Sequence, residues 1–157
     1  MIAEQSSSIL PTVSRAFLED WLCALRSQCP AQQLAGFLDD IGLASRVQPG
    51  ARVTHDQIVR LYQLVIQETG DEMMGLWSRP IRSGTLKHLC SSMRGASSLS
   101  AALFRFSSFW NLLLDDFQLV FESEGESMCI CLVPRGAAVP QRFGHMLLLK
   151  LAHGVAS

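Results

Sequence analysis

The chain has 157 residues, 48% of them hydrophobic, which suits one domain with a substantial core. A net charge of -1, with no Lys or Arg between Arg105 and Arg135, excludes a cationic surface able to grip a polyanion. The apolar runs 112–114 and 146–149 end at Asp115 and Lys150, far short of the roughly 20 residues a membrane span needs.

The first ten residues are polar and Ser-rich, lack the positive start and apolar centre of a signal peptide, and read as a flexible lead. The expected location is therefore the cytoplasm. Five cysteines at irregular spacing (Cys23, Cys29, Cys90, Cys129 and Cys131) do not make a disulfide framework, and reduced, mostly buried thiols are expected.

From Pro11 to Ser14 the chain opens a helix whose apolar stripe is Phe17, Leu18, Trp21, Leu22 and Leu25. Cys29 and Pro30 break it. A shorter helix over 31–40 presents Leu34, Phe37 and Leu38, with Gly42 as its stop. Pro49 and Gly50 then signal a turn. Thr54 and Gln57 fit a capping box, so a helix begins there and continues through Ile58, Leu61, Tyr62 and Val65 to Thr69 and Gly70. Asp71 is placed to cap a further short helix through Met74 and Trp77. A loop over 78–84, a helix over 85–93 and a Ser-capped helix over 98–113 follow. From Phe117 the period changes to two, giving an antiparallel hairpin with one face buried. A loop over 134–140 and a final helix over 141–153 complete the chain. The expected fold is α+β, mainly helical, with a small antiparallel sheet including a hairpin at about 117–133.

No convergent catalytic set is present, and an enzyme is not expected. The acidic pairs Glu19-Asp20, Asp39-Asp40, Asp71-Glu72 and Asp115-Asp116 are adjacent residues that diverge on a helix. Ser91, Ser92, Ser97 and Ser98 lack the strand–turn–helix setting of a nucleophile elbow. Cys129 and Cys131 share a strand face but lack two further metal ligands at usable spacing, so packed thiols and no metal are expected. No cofactor is implied. The aromatic cluster before the hairpin suggests instead an apolar cavity between the 98–113 helix and the sheet. Its candidate ligand-binding residues are Trp77, His88, Arg94, Arg105, Phe106 and Trp110.

Four short elements, in order, carry a family resemblance: Leu10-Pro11, then Gly36 with Gly42-Leu43 and Pro49, then Thr69-Gly70-Asp71-Glu72 with Gly75-Leu76, and finally Ser98-Leu99 with Leu103 and its aromatics. In these the chain resembles the N-terminal, arabinose-binding-like regulatory domain of AraC-type bacterial transcriptional regulators. It departs from that pattern at Lys87-His88-Leu89, where the family commonly has a Gly-aromatic-small element. The resemblance implies that residues 11–157 form one regulatory or sensor domain, taking a small-molecule effector and forming a homodimer. DNA contacts would fall to a C-terminal helix-turn-helix part that this chain lacks, so the resemblance implies a truncated chain or a shortened natural protein. The alternative expectation is a stand-alone protein–protein interaction module with no small-molecule ligand.

Overall fold

The computed structural model describes residues 11–43, 50–124, 127–136 and 142–156. The expected lead over 1–10, the Pro49 position and residues 137–140 of the expected loop lie outside them.

Two short strands, β1 (Thr12–Ser14) and β2 (Arg52–Thr54), pair antiparallel with Val13 opposite Val53. Each runs directly into a helix: α1 (Arg15–Gln28) after β1, and α3 (His55–Thr69) after β2. The expectation that 11–14 opens a helix is therefore corrected. Ser14 does cap α1, accepting from the Phe17 N–H at 3.3 Å, but Thr12 and Val13 are extended. Pairing decides this, because the Arg52 guanidinium donates to the Thr12 hydroxyl and carbonyl, and the Arg15 and His55 N–H groups extend the ladder to Ala51 and Pro11.

Along α1, Leu18, Trp21, Leu22 and Leu25 are fully buried, each contributing about 1.5–3 kcal/mol by area removed from water. The second helix, α2 (Ala31–Asp40), buries Leu34, Phe37 and Leu38 and stops at Gly42, whose φ of 71° suits a residue without Cβ. The capping box that opens α3 is complete. Thr54 Oγ1 accepts from the Gln57 N–H and Gln57 Oε1 accepts from the Thr54 N–H. Gly70, left-handed, closes this helix.

Residues 71–84 form no regular helix, which corrects the short helix expected through Met74 and Trp77. Beyond them come α4 (Thr85–Arg94) and α5 (Leu99–Leu113), the latter capped by Ser98. Strands β3 (Phe117–Glu124) and β4 (Ser127–Pro134) then form the expected hairpin, with Leu119 opposite Leu132. Helix α6 (Arg142–Ala156) packs between α1 and α5. Among the described residues, six helices and two small two-stranded antiparallel sheets thus make an α+β, mainly helical fold.

The core centres on Trp21, Trp110, Phe106 and Phe117. Phe143 of α6 stacks on Trp21 at 5.1 Å, holding α6 against α1. Hairpin burial is narrower than the alternation suggests. Phe117 and Leu119 are buried, whereas β4 offers only half-buried Ile130, Cys131 and Leu132. The thiols also depart from expectation: Cys29 is buried, but Cys23, Cys90 and Cys129 are exposed and Cys131 is half-buried. A lone hairpin has a solvent face, and the alternate positions 129 and 131 lie on it.

Candidate functional site

The segment after α3 is organised by one carboxylate. Asp71 is buried, and its Oδ1 accepts from the N–H groups of Met73 (2.9 Å) and Ile81 (2.8 Å), while Oδ2 accepts from Gly75 (2.7 Å). The first and last of these bonds resemble a helix cap, but the Ile81 bond closes a loop instead. Met74 is held left-handed at φ 55°, a conformation costly for a residue with a side chain. Its carbonyl accepts from the Trp21 indole N–H at 3.1 Å. Gly75 follows at φ 68°, and a Cβ there would stand 2.6 Å from Gln28 Oε1, whose side chain donates to the Gly75 carbonyl.

Glu72 reaches forward, accepting from the Gly84 and Leu86 N–H groups at 2.6 and 2.8 Å. Helix α4 has no side-chain cap from its own flank, so Glu72 caps it from a distance. The outer end of the loop is tied down by the 115–116 pair. Asp116 accepts from the Ser78 N–H and hydroxyl, and Asp115 pairs with Arg79 at 3.3 Å. These acids fasten the loop to the start of the hairpin.

This loop forms one wall of an apolar cleft of about 280 Å³. Met73, Met74 and Glu72 line it from the loop; Ile58, Val59 and Tyr62 from α3; Trp21 from α1; Leu86 from α4; and Phe143, Leu147 and Leu151 from α6. Tyr62 and Glu72 bring the polar atoms. Burial, and then the Glu72 carboxylate, push the Tyr62 phenol upward in pKa, so it stays a neutral hydroxyl. A concave, almost wholly apolar lining with Tyr62 and Glu72 among its residues suits a small apolar ligand, and the volume lies just under the usual small-molecule range.

A second, wider groove of about 480 Å³ lies where the sequence suggests one, between α5, the hairpin and α6. Leu99 and Leu103, Phe121, Met128 and Ile130, and Leu149 with Ala152 form its walls. A third, of about 440 Å³, runs between α4, α5 and α6 past Arg94 and Lys150.

The six residues singled out from the sequence do not converge on one cavity. Phe106 and Trp110 pack edge-on in the core at 6.2 Å. Trp77 is buried against Phe117 at 4.9 Å and stacks on His145 at 5.7 Å. His88 is exposed on α4. Arg105 donates to the Ser92 carbonyl at 2.6 Å, joining α5 to α4, and Arg94 donates to the Ser91 hydroxyl while lining the third groove. Among the described residues the indole N–H groups of Trp77 and Trp110 are buried without a partner. Tyr62 and Glu72 are not among the residues that the sequence singles out. The available signal is a hydroxyl-bearing aromatic on the apolar stripe of α3, ten residues before Glu72, the acid two positions past Gly70.

A family model described as the arabinose-binding domain of AraC transcription regulators, N-terminal, matches residues 33–157. The chain belongs to this family. Comparison with curated proteins and with solved structures found no match. As an AraC-type domain it is a regulatory, effector-binding module and not a member of an enzyme family. The Thr69-Gly70-Asp71-Glu72…Gly75-Leu76 element, which lies within the matched residues, is physically the helix stop, the loop-closing carboxylate, the distant cap and the left-handed turn beside the cleft. Among the described residues no helix is long and apolar enough to cross a membrane, and no group of three metal-ligating side chains converges.

Proposed function

We propose that this AraC-type domain senses a small, largely apolar effector carrying one hydrogen-bond donor, held in the cleft between α3, the 71–77 segment and α6. The lining supports this reading: its walls are Trp21, Met73, Met74, Phe143 and Leu147, and its polar groups are Tyr62 and Glu72. The Glu72 carboxylate already accepts two backbone N–H groups, leaving limited acceptor capacity for a ligand donor, as in a phenol or a protonated amine. A pentose would bury several hydroxyls against apolar walls without partners, each costing roughly 1–3 kcal/mol. The family's arabinose is therefore not the effector we propose here.

In this reading the domain belongs to a DNA-binding transcriptional regulator that works as a homodimer in the cytoplasm. DNA contacts fall to helix-turn-helix segments and not to residues 1–157, in keeping with the net charge of -1. The effector shifts the population of domain arrangements and thereby how paired DNA-binding parts meet their half-sites. Of the six residues proposed from the sequence, Trp77 follows closely on Met74 and is expected to report the bound state.

Thermal shift and tryptophan fluorescence test this together, because Trp21 lines the cleft and a ligand of the folded state raises the midpoint. A panel of phenols, indoles and aryl amines should raise the midpoint and quench fluorescence, with the response weakened in Tyr62→Phe. L-arabinose should do neither. Response to arabinose alone would overturn the effector class, and silence across the panel would favour a protein interaction module. Specific gel-shift of operator DNA by residues 1–157 would refute the division of labour.

A further inference from the structure

Among the described residues the hairpin leaves one strand edge uncovered, and its hydrogen-bond alternation identifies which atoms face out. In an antiparallel pair, residues that exchange N–H···O=C bonds alternate with residues whose N–H and C=O point away from the partner strand. Asn111 of α5 accepts from the Leu119 N–H at 2.7 Å and donates to the Leu119 carbonyl at 2.9 Å. Leu119 thus turns both its groups away from β4, and α5 occupies the β3 edge there. Its opposite residue is Leu132, and the same alternation places Phe121 opposite Ile130 and Ser123 opposite Met128. The Arg135 N–H donates to the Asp116 carbonyl at 2.9 Å, as this phase requires.

On β4, therefore, Met128, Ile130 and Leu132 direct their N–H and C=O groups away from β3. Among the described residues no other element bonds to these groups. Natural edges are usually blunted by charge, by proline or by a covering element. Over 127–133 this strand carries no charged residue, and proline appears only at Pro134, its last position. Met128 and Val133 are exposed, and the open groove beside the edge adds exposed Leu99 and Leu149.

We propose that β4 is the association surface of this domain, pairing antiparallel with β4 of a second copy to make a four-stranded sheet. The inference rests on the dimeric reading above and names the surface that reading leaves open. The strand is self-complementary. Under a two-fold axis at Ile130, Met128 exchanges bonds with Leu132 of the second copy, and no charge meets a like charge. Glu122 lies on the outer strand of each hairpin, away from the axis. Cys129 would then face Cys131 of the second copy at a non-hydrogen-bonded position, where Cα atoms lie about 4.5 Å apart. That separation is within disulfide range. Centring the axis on Cys129 or on Cys131 instead brings each of those residues against itself. Every near-central register thus apposes thiols, which are exposed at 129 and half-buried at 131. A short ladder falls below a standard interface of roughly 1,600 Å², so the association is weak and is to be sought at about 100 µM chain.

The test uses the chain with Cys23→Ser and Cys90→Ser, so that the remaining accessible thiols are Cys129 and Cys131. Diamide at about 100 µM chain should give a cross-linked dimer on a non-reducing gel, lost when Cys129→Ser and Cys131→Ser are added. In sedimentation equilibrium, Ile130→Pro removes an outward N–H that the hairpin does not use and should weaken association at least tenfold. Because Ile130 also packs in the groove, Cys131→Lys serves as a second variant. It sits on the solvent face, sets like charges near the axis and should weaken association while leaving the circular dichroism unchanged. Cross-linking as fast in Ile130→Pro as in its parent means random collision and overturns the proposal. A dimer that is neither cross-linked nor weakened by Cys131→Lys places the interface elsewhere, overturning this inference while leaving the dimeric reading intact. A monomer at about 100 µM overturns both and leaves the effector assay to stand alone.

Discussion

Removing the Asp71 carboxylate should unravel the loop that walls the cleft, and the cost can be worked from its bonds. Three backbone N–H groups, those of Met73, Gly75 and Ile81, end on this one side chain at 2.7–2.9 Å. In Asp71→Ala all three lose their acceptor. Each unsatisfied buried group costs roughly 1–3 kcal/mol, and the loop can relax to hydrate part of them, so a loss of about 4 kcal/mol is expected. Asp71→Asn is the sharper test. Its carbonyl oxygen can keep the Oδ1 position and its two bonds, while the amide NH2 meets the Gly75 N–H donor to donor. One bond is lost and a repulsion added, for about 2 kcal/mol. Urea unfolding followed by circular dichroism reads both variants. With a slope near 2 kcal/mol/M, Asp71→Ala should lower the midpoint by about 2 M and Asp71→Asn by about half as much. A loss below about 1 kcal/mol for Asp71→Ala, or equal losses for the two variants, would refute the assignment of three separate bonds to this carboxylate.

Burial of His145 against Trp77 and Phe117 holds its pKa below the ordinary 6.5. The unfolded chain then binds the proton more readily, so this contribution is present above pH 6.5 and is lost as pH falls towards the depressed folded value. His145→Gln should flatten the difference in unfolding free energy between pH 7 and pH 5.5; an unchanged slope would remove His145 as its source. Asn111→Ala leaves the Leu119 N–H and carbonyl unpaired and should cost roughly 1–3 kcal/mol in the same urea assay. Hydrogen exchange at the Leu119 amide should rise with it, and an unprotected amide in the parent would contradict the bond.

What could be read from the chain alone follows the range of the interactions involved. The starts of α3 and α5 are legible because Thr54 with Gln57, and Ser98, act within three residues of themselves. Gly70 is legible for the same reason. The β1–β2 ribbon is not, since Thr12 finds its partner forty residues away, and strands of three residues carry no period. Asp71 is open to misreading because two of its bonds are those of a helix cap, while the third arrives from Ile81, ten residues on, and Met74 between them is left-handed. The cavity between α5 and the hairpin is foreseeable from the aromatic stripe, yet Phe106 and Trp110 point into the core and not into that groove. The cleft itself was hidden. It needs Tyr62, Glu72 and the α6 residues Phe143 and Leu147 together, and no local pattern announces that meeting.

Helix α6 is a shared wall. Phe143, Leu147 and Leu151 face the cleft, Leu149 and Ala152 face the groove beside the hairpin, and Lys150 with Val155 faces the groove past Arg94. Displacing a single cylinder therefore alters the volume of all three spaces at once. An occupant that moved α6 on entering one of them would change the free energy of filling the others, and the two effects would be equal by reciprocity. A titration of one occupant repeated at saturation with another would measure that linkage directly, and an unchanged affinity would show that α6 stays fixed.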